Sequence, residues 1–397
     1  MIIGNSAAGV FAAEAIAKND PTGEIVMISK EKHMPYSRCL TTYLIAGDIG
    51  RDKMFLRPGG HFDQMPAQII NDSEVTAIKP EKKTVVLNNN EELSYDRLLV
   101  ASGASPARPD VPGAEADGVF TLRTLDDADR IMKLALPGKQ AVILGGGLVS
   151  LKTAYALIKR GLKVRVLVTS PQILSQMLDA TAAGLLQKRL EEHGVEFGLN
   201  RAVDELVTGD GGQVEAAVLD GGEKMSCNLV VVGKGVRPNV GFLDETGIEI
   251  NWGVLVNDYL QTSVENIYAA GDVAETTDLL LGSKRVNATW PNATEQGRVA
   301  GINMAGGNRK YIGSLAMNSV EFFGLPAISV GLTRVDEADY EVHETYKPER
   351  DFYKKLVFRD NHLVGFTVVG NISAVGILTG LIKYKIDVTE EKYRLTS

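Results

Sequence analysis

The chain reads as α/β: two doubly wound, Rossmann-like dinucleotide-binding domains and a smaller α+β domain at the end. Three observations predict this. Residues 1–14 (MIIGNSAAGVFAAE) pass from a short apolar strand through a glycine turn straight into an alanine-rich helix. The same strand-turn-helix pattern returns at residues 141–160, so that Gly145 repeats Gly4 after 141 residues. From residue 311 onward, alternating strands precede one amphipathic helix, and no glycine cradle occurs.

Length and composition bound the answer. With 397 residues, two or three domains are expected, and 44% hydrophobic with 23% charged residues is an ordinary globular balance. No apolar run approaches the roughly 18 residues that span a bilayer. A formal charge of -8 disfavours a nucleic-acid partner. Cys39 and Cys227 are too few for a disulfide framework, and the five histidines lack ligand spacing, so no protein-bound metal is expected. The opening residues run directly into the turn and leave no room for a secretion signal; the expectation is a cytoplasmic protein lacking a residue or two before Met1.

The first cradle is Gly4-Asn5-Ser6-Ala7-Ala8-Gly9. Gly4 permits the tight turn, Ser6 stands where a second glycine lets a pyrophosphate approach, and Gly9 lets helix and strand pack closely. Phosphate charge would meet the helix N-terminus. Residues 23–29 (GEIVMIS) form the next parallel strand, and Glu31 is the nearest carboxylate beyond it, either a ribose ligand or a solvated turn charge. Residues 35–40 (PYSRCL) lead into a helix. Residues 75–96 hold two alternating runs, a small antiparallel insertion. Residues 95–100 then resume the sheet and stop at Ala101-Ser102-Gly103, small residues where the backbone passes something bulky.

After a Pro/Gly-rich boundary at residues 106–113 comes the second cradle, Gly145-Gly146-Gly147-Leu148-Val149-Ser150, with its helix over 151–160. A strand at 163–168, a hairpin-like insertion at 202–227 and a strand at 229–235, closing on Gly235, complete the repeat. Two cradles with matching architecture downstream argue for two bound nucleotides. Residues 266–272 end a further strand on Gly271-Asp272, where Asp272 suits a sugar-alcohol chain, and residues 291–304 form a helix. The division expected is 1–108 with 237–308, 109–236, and 309–397.

In this order the motifs resemble the two-dinucleotide-fold flavoproteins of the pyridine nucleotide-disulfide oxidoreductase superfamily, with a glutathione reductase-like fold. The branch is that of NADH oxidase, CoA-disulfide reductase, rubredoxin reductase and the flavin module of nitrite reductase. The resemblance runs through both cradles, YDRLLVASGASP, VVVGKGVRPN, NIYAAGD and WPNATEQGRVAGINMAG. It implies FAD in the first domain, with Gly4, Ser6, Ala8 and Gly9 at the pyrophosphate and Glu31 and Arg38 near the second strand. Ala101, Ser102, Gly103 and Arg123 lie along the cofactor, Gly271 and Asp272 at the ribityl chain, Trp290 and Ala293 toward the ring. It implies NAD(P)H in the inserted domain, held by Gly145, Gly147, Val149, Thr169 and Gly235. The C-terminal domain closes over the flavin and offers a dimer surface, leaving monomer and homodimer both open.

Three departures matter. Ser150 replaces the third glycine of the second cradle. Lys152 stands where relatives commonly carry glutamate; it either tunes flavin or substrate or is a helix-surface lysine. After Val168, Thr169-Ser170-Pro171 offers neither an acid to favour NADH nor an arginine to favour NADPH. Cys39 has two readings: a catalytic thiol facing the flavin, helped by Arg38 and a helix N-terminus, or a buried small residue. The expected activity is FAD-dependent electron transfer between NAD(P)H and a partner, foremost a small iron-sulfur or rubredoxin-type protein. The rivals are an NADH oxidase or Cys39-dependent disulfide reductase, and a flavin-bound sensor or assembly subunit without turnover.

Overall fold

The computed structural model describes residues 1–336 and 338–396. Two compact units divide the chain: one from Met1–Arg38, Asp52–Ser105 and Arg237–Leu315, the other from Cys39–Arg51, Pro106–Val236 and Ala316–Ser397.

The first unit is built on a five-stranded parallel sheet in the order Ile267–Ala269, Leu98–Val100, Ile2–Ile3, Ile25–Ile28, Ala67–Ile70. Its central strands are unbroken apolar runs, and Ile2, Leu98, Leu99, Val100 and Met27 are fully buried, as parallel strands covered on both faces must be. Helices Ala7–Asn19 and Trp290–Met304 pack against each other at backbone distance. Glycine makes this possible. A Cβ added at Gly297 would lie 2.3 Å from the Ala8 carbonyl oxygen, and one at Gly301 2.4 Å from that of Ala12. The insertion expected at 75–96 is a three-stranded antiparallel sheet, Val75–Lys79, Thr84–Leu87 and Glu92–Ser94; its last strand is too short to show alternation in sequence.

The second unit repeats the scheme with the parallel order Val195–Leu199, Lys163–Val168, Gln140–Leu144, Leu229–Val232, Val119–Thr121. In both sheets the cradle strand is central, with the second and third strands on one side and the fourth on the other. The fifth strand differs in origin. In the first unit it comes from far downstream, at 267–269, and in the second from just upstream, at 119–121. A three-stranded antiparallel sheet, Val203–Thr208, Val214–Leu219 and Lys224–Ser226, forms the second insertion.

A five-stranded antiparallel sheet, Met317–Phe322, Leu325–Gly331, His362–Val369, Phe352–Arg359, Glu341–Lys347, carries helix Val375–Lys383. It shares a hydrophobic core with the second nucleotide fold, in which Leu151, Leu186, Phe322 and Tyr353 are all buried. Tyr353 donates its hydroxyl to Asp179 Oδ2 at 2.9 Å, and Arg189 pairs with Asp351 at 2.7 Å. Two helix boundaries differ from expectation. The cradle helix begins at Leu148 rather than 151, and the helix after Pro35 is only Thr41–Ala46, stopped by Gly47 at φ 79°. Among the described residues, no helix is long and apolar enough to cross a membrane, and no group of three or more His, Cys, Asp or Glu converges as a metal site would.

Candidate functional site

The first cradle is a turn that only glycine can make. Gly4 has φ +108°, and a Cβ there would lie 2.2 Å from the Ala101 carbonyl oxygen; a Cβ at Gly9 would lie 1.9 Å from the Gly4 carbonyl oxygen. Strand, turn and helix therefore touch through backbone alone. Ser6 is the N-cap of helix Ala7–Asn19 but makes no side-chain cap, and no acidic residue occupies the first turn. The second cradle helix, Leu148–Lys159, is likewise uncapped at Gly147 and free of acid in its first turn. Helix Leu125–Leu134, by contrast, starts with a Thr124/Asp127 capping box, and helix Ala180–Glu192 with Asp179 bonded to the Ala182 N–H. Both cradle helices thus start without a side-chain cap, a condition they share with helices Trp290–Met304 and Val375–Lys383. Unfilled N–H groups at the positive end of a helix dipole fit an anion such as a pyrophosphate.

Around the first cradle the expected residues converge. Glu31 is no solvated charge: its carboxylate accepts from the Tyr36 hydroxyl at 2.6 Å and is paired with Arg38, and its side chain is only 12% exposed. Burial opposes the charge on Arg38, while Tyr36, Glu31 and Asp272 favour it and hold the guanidinium above its ordinary value. Arg38 thus joins the end of the second strand to the Gly271-Asp272 turn. Gly271, at φ +85°, lies against Ala8, where an added Cβ would come within 3.1 Å of the alanine methyl and 3.8 Å of that of Ala293. Trp290, half-buried, packs on the core of this unit. Ala101 is buried, and Ser102 donates to the Asn239 carbonyl at 2.9 Å.

Sequence reasoning missed the residues that hold this rim. Asn239 donates back to the Ser102 carbonyl at 2.8 Å and accepts from the Ser105 hydroxyl at 2.6 Å. Gln296, 1% exposed, accepts from the Gly271 N–H at 2.7 Å and so fixes the Gly-Asp turn. Asn5 donates to the His33 carbonyl at 3.2 Å. Each lies within a motif already noted, but an amide's partners are invisible without the fold.

In the second unit Gly145 has φ +113°, and an added Cβ would meet the Gly233 carbonyl oxygen at 2.4 Å. Gly147 is different: nothing lies within 4 Å of a Cβ placed there, and Val149 beside it is 45% exposed. This is open space over the uncapped helix end, room for a nucleotide's phosphates. Thr169 is exposed at the end of strand Lys163–Val168. Arg201, whose N–H bonds the Val168 carbonyl, turns its guanidinium to Asp220 at 2.8 Å and Glu223 at 3.0 Å. The ribose position thus carries no carboxylate, and this guanidinium is engaged by two. Gly235 accepts at its carbonyl from the Ala107 N–H at 2.9 Å. Arg123 precedes the Thr124 cap, its own N–H bonded to Asp127, and lies in this second unit.

Cys39 and Lys152 come together in the same unit. Cys39 is exposed, which removes the buried-filler reading. Lys152 is half-buried with its Nζ 5.4 Å from the Tyr43 ring centroid, so it is no ordinary surface lysine. Burial lowers its ammonium pKa while the Cys39 sulfur raises it, with a net fall. Cys227 is the structural cysteine, 1% exposed, its thiol pushed up to about 11 by burial.

Comparison with known proteins agrees with this geometry. The family model described as pyridine nucleotide-disulphide oxidoreductase matches residues 1–297, and that of the rubredoxin NAD+ reductase C-terminal domain matches residues 317–386. The ε subunit of the NADH-dependent phenylglyoxylate dehydrogenase of Aromatoleum evansii is 33% identical over 401 residues, 100% of this chain and 94% of that one. Among solved structures, the NAD-dependent persulfide reductase from A. fulgidus superposes with TM-score 0.89 at 28% identity, over 98% of this chain and 77% of the other. The NADH:rubredoxin oxidoreductase of Clostridium acetobutylicum does so with TM-score 0.80 at 27% identity, over 98% and 96%. The chain belongs to the pyridine nucleotide-disulphide oxidoreductase family, and is an FAD-dependent enzyme that moves electrons between NAD(P)H and a redox partner.

Proposed function

We propose that the partner is a small iron-sulfur or rubredoxin-type protein, which this chain reduces at the expense of NAD(P)H. The observation that carries this reading is the match of the antiparallel C-terminal sheet to the C-terminal domain of rubredoxin reductases. Residues 1–108 with 237–308 would bind FAD, 109–236 NAD(P)H, and 309–397 would form the C-terminal α+β domain. Gly4, Ser6, Ala8 and Gly9 would hold the FAD pyrophosphate, with Glu31, Arg38, Ala101, Ser102, Gly103, Arg123, Gly271, Asp272, Trp290 and Ala293 along the rest. Gly145, Gly147, Val149, Thr169 and Gly235 would hold the nicotinamide nucleotide. Bound FAD supplies hydride acceptance and onward electron release. The chain's own contribution is positioning: rigid backbone turns at both pyrophosphates, and an Arg38 charge held by two carboxylates at the rim. With neither acid nor available guanidinium at the second ribose, NADH and NADPH are both substrates in this reading. A cytoplasmic location goes with it, where these nucleotides are supplied.

A second reading rests on the exposed Cys39 beside Lys152, which suits disulfide or persulfide reduction through the sulfur. An acceptor screen separates the two. The NAD(P)H-reduced enzyme is offered rubredoxin, ferredoxin, oxygen and a small disulfide in parallel, as wild type and as Cys39→Ser. Rapid flavin reduction with undiminished rubredoxin or ferredoxin turnover in Cys39→Ser is expected. Loss of that turnover with FAD content and flavin reduction intact would put the sulfur on the electron path. Failure of NAD(P)H to reduce the flavin at all would leave only the non-catalytic flavin-binding role.

A further inference from the structure

We propose that Asp220 and Glu223 are specificity-determining residues for the nicotinamide nucleotide: by holding the Arg201 guanidinium they keep it from a 2′-phosphate, and so leave the second cradle open to NADH and NADPH alike. The inference rests on the reading that this cradle holds the nucleotide. Its first support is where Arg201 stands. Asn200 takes a left-handed turn, φ 54°, directly after strand Val195–Leu199, and its N–H bonds the Ser170 carbonyl at 3.3 Å. The Arg201 N–H then bonds the Val168 carbonyl at 3.0 Å. Residues 200–201 therefore lie along residues 168–170, the strand end at which a nucleotide fold of this kind meets the adenosine ribose. Residues 168–171 (VTSP) carry no charge, and Thr169 among them is exposed. Arg201 brings to this uncharged strand end a planar fork of donors that matches a phosphate.

The second support is how the guanidinium is held. Its Nε donates to Asp220 Oδ1 at 2.8 Å, and its Nη2 to the Asp220 carbonyl at 3.2 Å and to Glu223 Oε2 at 3.0 Å. Both acids come from one turn, that joining strands Val214–Leu219 and Lys224–Ser226, and the Asp220 N–H is itself tied to the Ala202 carbonyl at 3.1 Å. The turn takes one edge of the fork and leaves the other: Nη1 makes no hydrogen bond among the described residues. Arg165, on strand Lys163–Val168 itself, stands 3.6 Å from the second oxygen of Glu223. Two guanidiniums thus face two carboxylates, and the cluster offers a phosphate dianion no net attraction. The grip is also of a kind that yields. The side chains of Asp220 and Glu223 are 43% and 47% exposed, and ion pairs so exposed are weak, whereas an arginine–phosphate pair makes two parallel, charge-assisted hydrogen bonds. With the acids neutralised, Arg201 turns its fork to the 2′-phosphate; NADH carries no group there to gain by it.

The test reads one ratio, the Kd for NAD+ over that for NADP+, by titration calorimetry on full-length, FAD-loaded protein; taken within each variant, it cancels any general loss of affinity. Flavin reduction by NADH and NADPH in stopped flow gives the same ratio for the reduced nucleotides. In wild type the two dissociation constants are expected within about tenfold of each other. The double variant Asp220→Asn/Glu223→Gln should shift the ratio toward NADP+ by about tenfold, the worth of hydrogen bonds between charged groups. Adding Arg201→Met should return it to the wild-type value. Asp220→Asn alone, and Arg201→Gln in place of methionine, serve where a multiple variant folds poorly. An unmoved ratio in the double variant overturns the proposal, and so does a shift that survives Arg201→Met, which would belong to the lost carboxylates and not to the guanidinium. Gly147→Val, run alongside, reads the cradle itself. If it abolishes both affinities while the double variant leaves the ratio unmoved, the proposal alone falls; if it leaves both affinities intact, the nucleotide sits elsewhere and the underlying reading falls with it.

Discussion

The two cradles make the same turn but differ in what the third motif position meets. In the first, Gly9 of the helix lies against the Gly4 carbonyl of the turn itself; in the second, Ser150 of the helix lies against Gly233 at the strand end. A Cβ at Gly9 would strike backbone at 1.9 Å, whereas Ser150 already carries one and directs its hydroxyl to the Gly233 carbonyl at 3.3 Å. A Cβ at Gly233 would in turn lie 2.1 Å from Ser150 Oγ. The third position of the motif is therefore set by what it meets: the Gly4 carbonyl leaves no room for a side chain in the first cradle, whereas Gly233 leaves room for that of Ser150 in the second. The middle position is a statement about ligand space, and there the cradles differ the other way: Ser6 in the first, open Gly147 in the second.

The largest effect should come from breaking the first cradle on its own terms. Gly9→Ser puts the second cradle's serine where the Gly4 carbonyl leaves no room for it. Both atoms in collision belong to the turn, so nothing flexible can yield, and destabilisation at or above the upper end of about 1–3 kcal/mol is expected. The purified variant should carry no FAD; a full complement with unchanged melting would show that the two turns are less alike than their geometry. Next in size is Gly147→Val, which fills space that protein does not use. Flavin reduction by NADH and NADPH, followed by stopped flow, should slow by about a hundredfold. Stability should fall by no more than about 1 kcal/mol, the loss of a favourable N-cap residue. An unchanged rate would mean that the nicotinamide nucleotide sits elsewhere.

The smallest effect is the most specific. Gly233→Ala alone should cost about 1–2 kcal/mol by crowding Ser150. Ser150→Gly alone should cost about 1 kcal/mol, from an interior helix glycine. The double variant removes the Ser150 hydroxyl that the new methyl at 233 would meet. Its loss should therefore be smaller than the sum by at least about 1 kcal/mol in thermal unfolding. Simple additivity would show that the two positions do not share one volume.

Much of the architecture lay open in the amino-acid order because it rests on local chemistry. Glycine at 4 and 145 is required by backbone angles that other residues avoid, and runs such as Ala141-Val142-Ile143-Leu144 are apolar because both faces of a parallel strand are covered. Those signals need no partner to be read, which is why the repeat, the two insertions and the final α+β domain could be placed. Their edges could not: strand Glu92–Ser94 and helix Thr41–Ala46 are too short to repeat the period that would reveal them.

The chain by itself determined the two cradles, their order and the nucleotide chemistry that goes with them. Only the tertiary structure decided what the ambiguous side chains are. Glu31 proves to be a carboxylate shared by Tyr36 and Arg38, Cys39 an exposed sulfur, and Lys152 a half-buried ammonium over the Tyr43 ring. Gln296 and Asn239, unremarkable as letters, hold the turns that frame the first cradle. The reason is physical: a backbone turn is set by its own residues, whereas a side chain's charge and exposure depend on groups brought to it from distant parts of the chain.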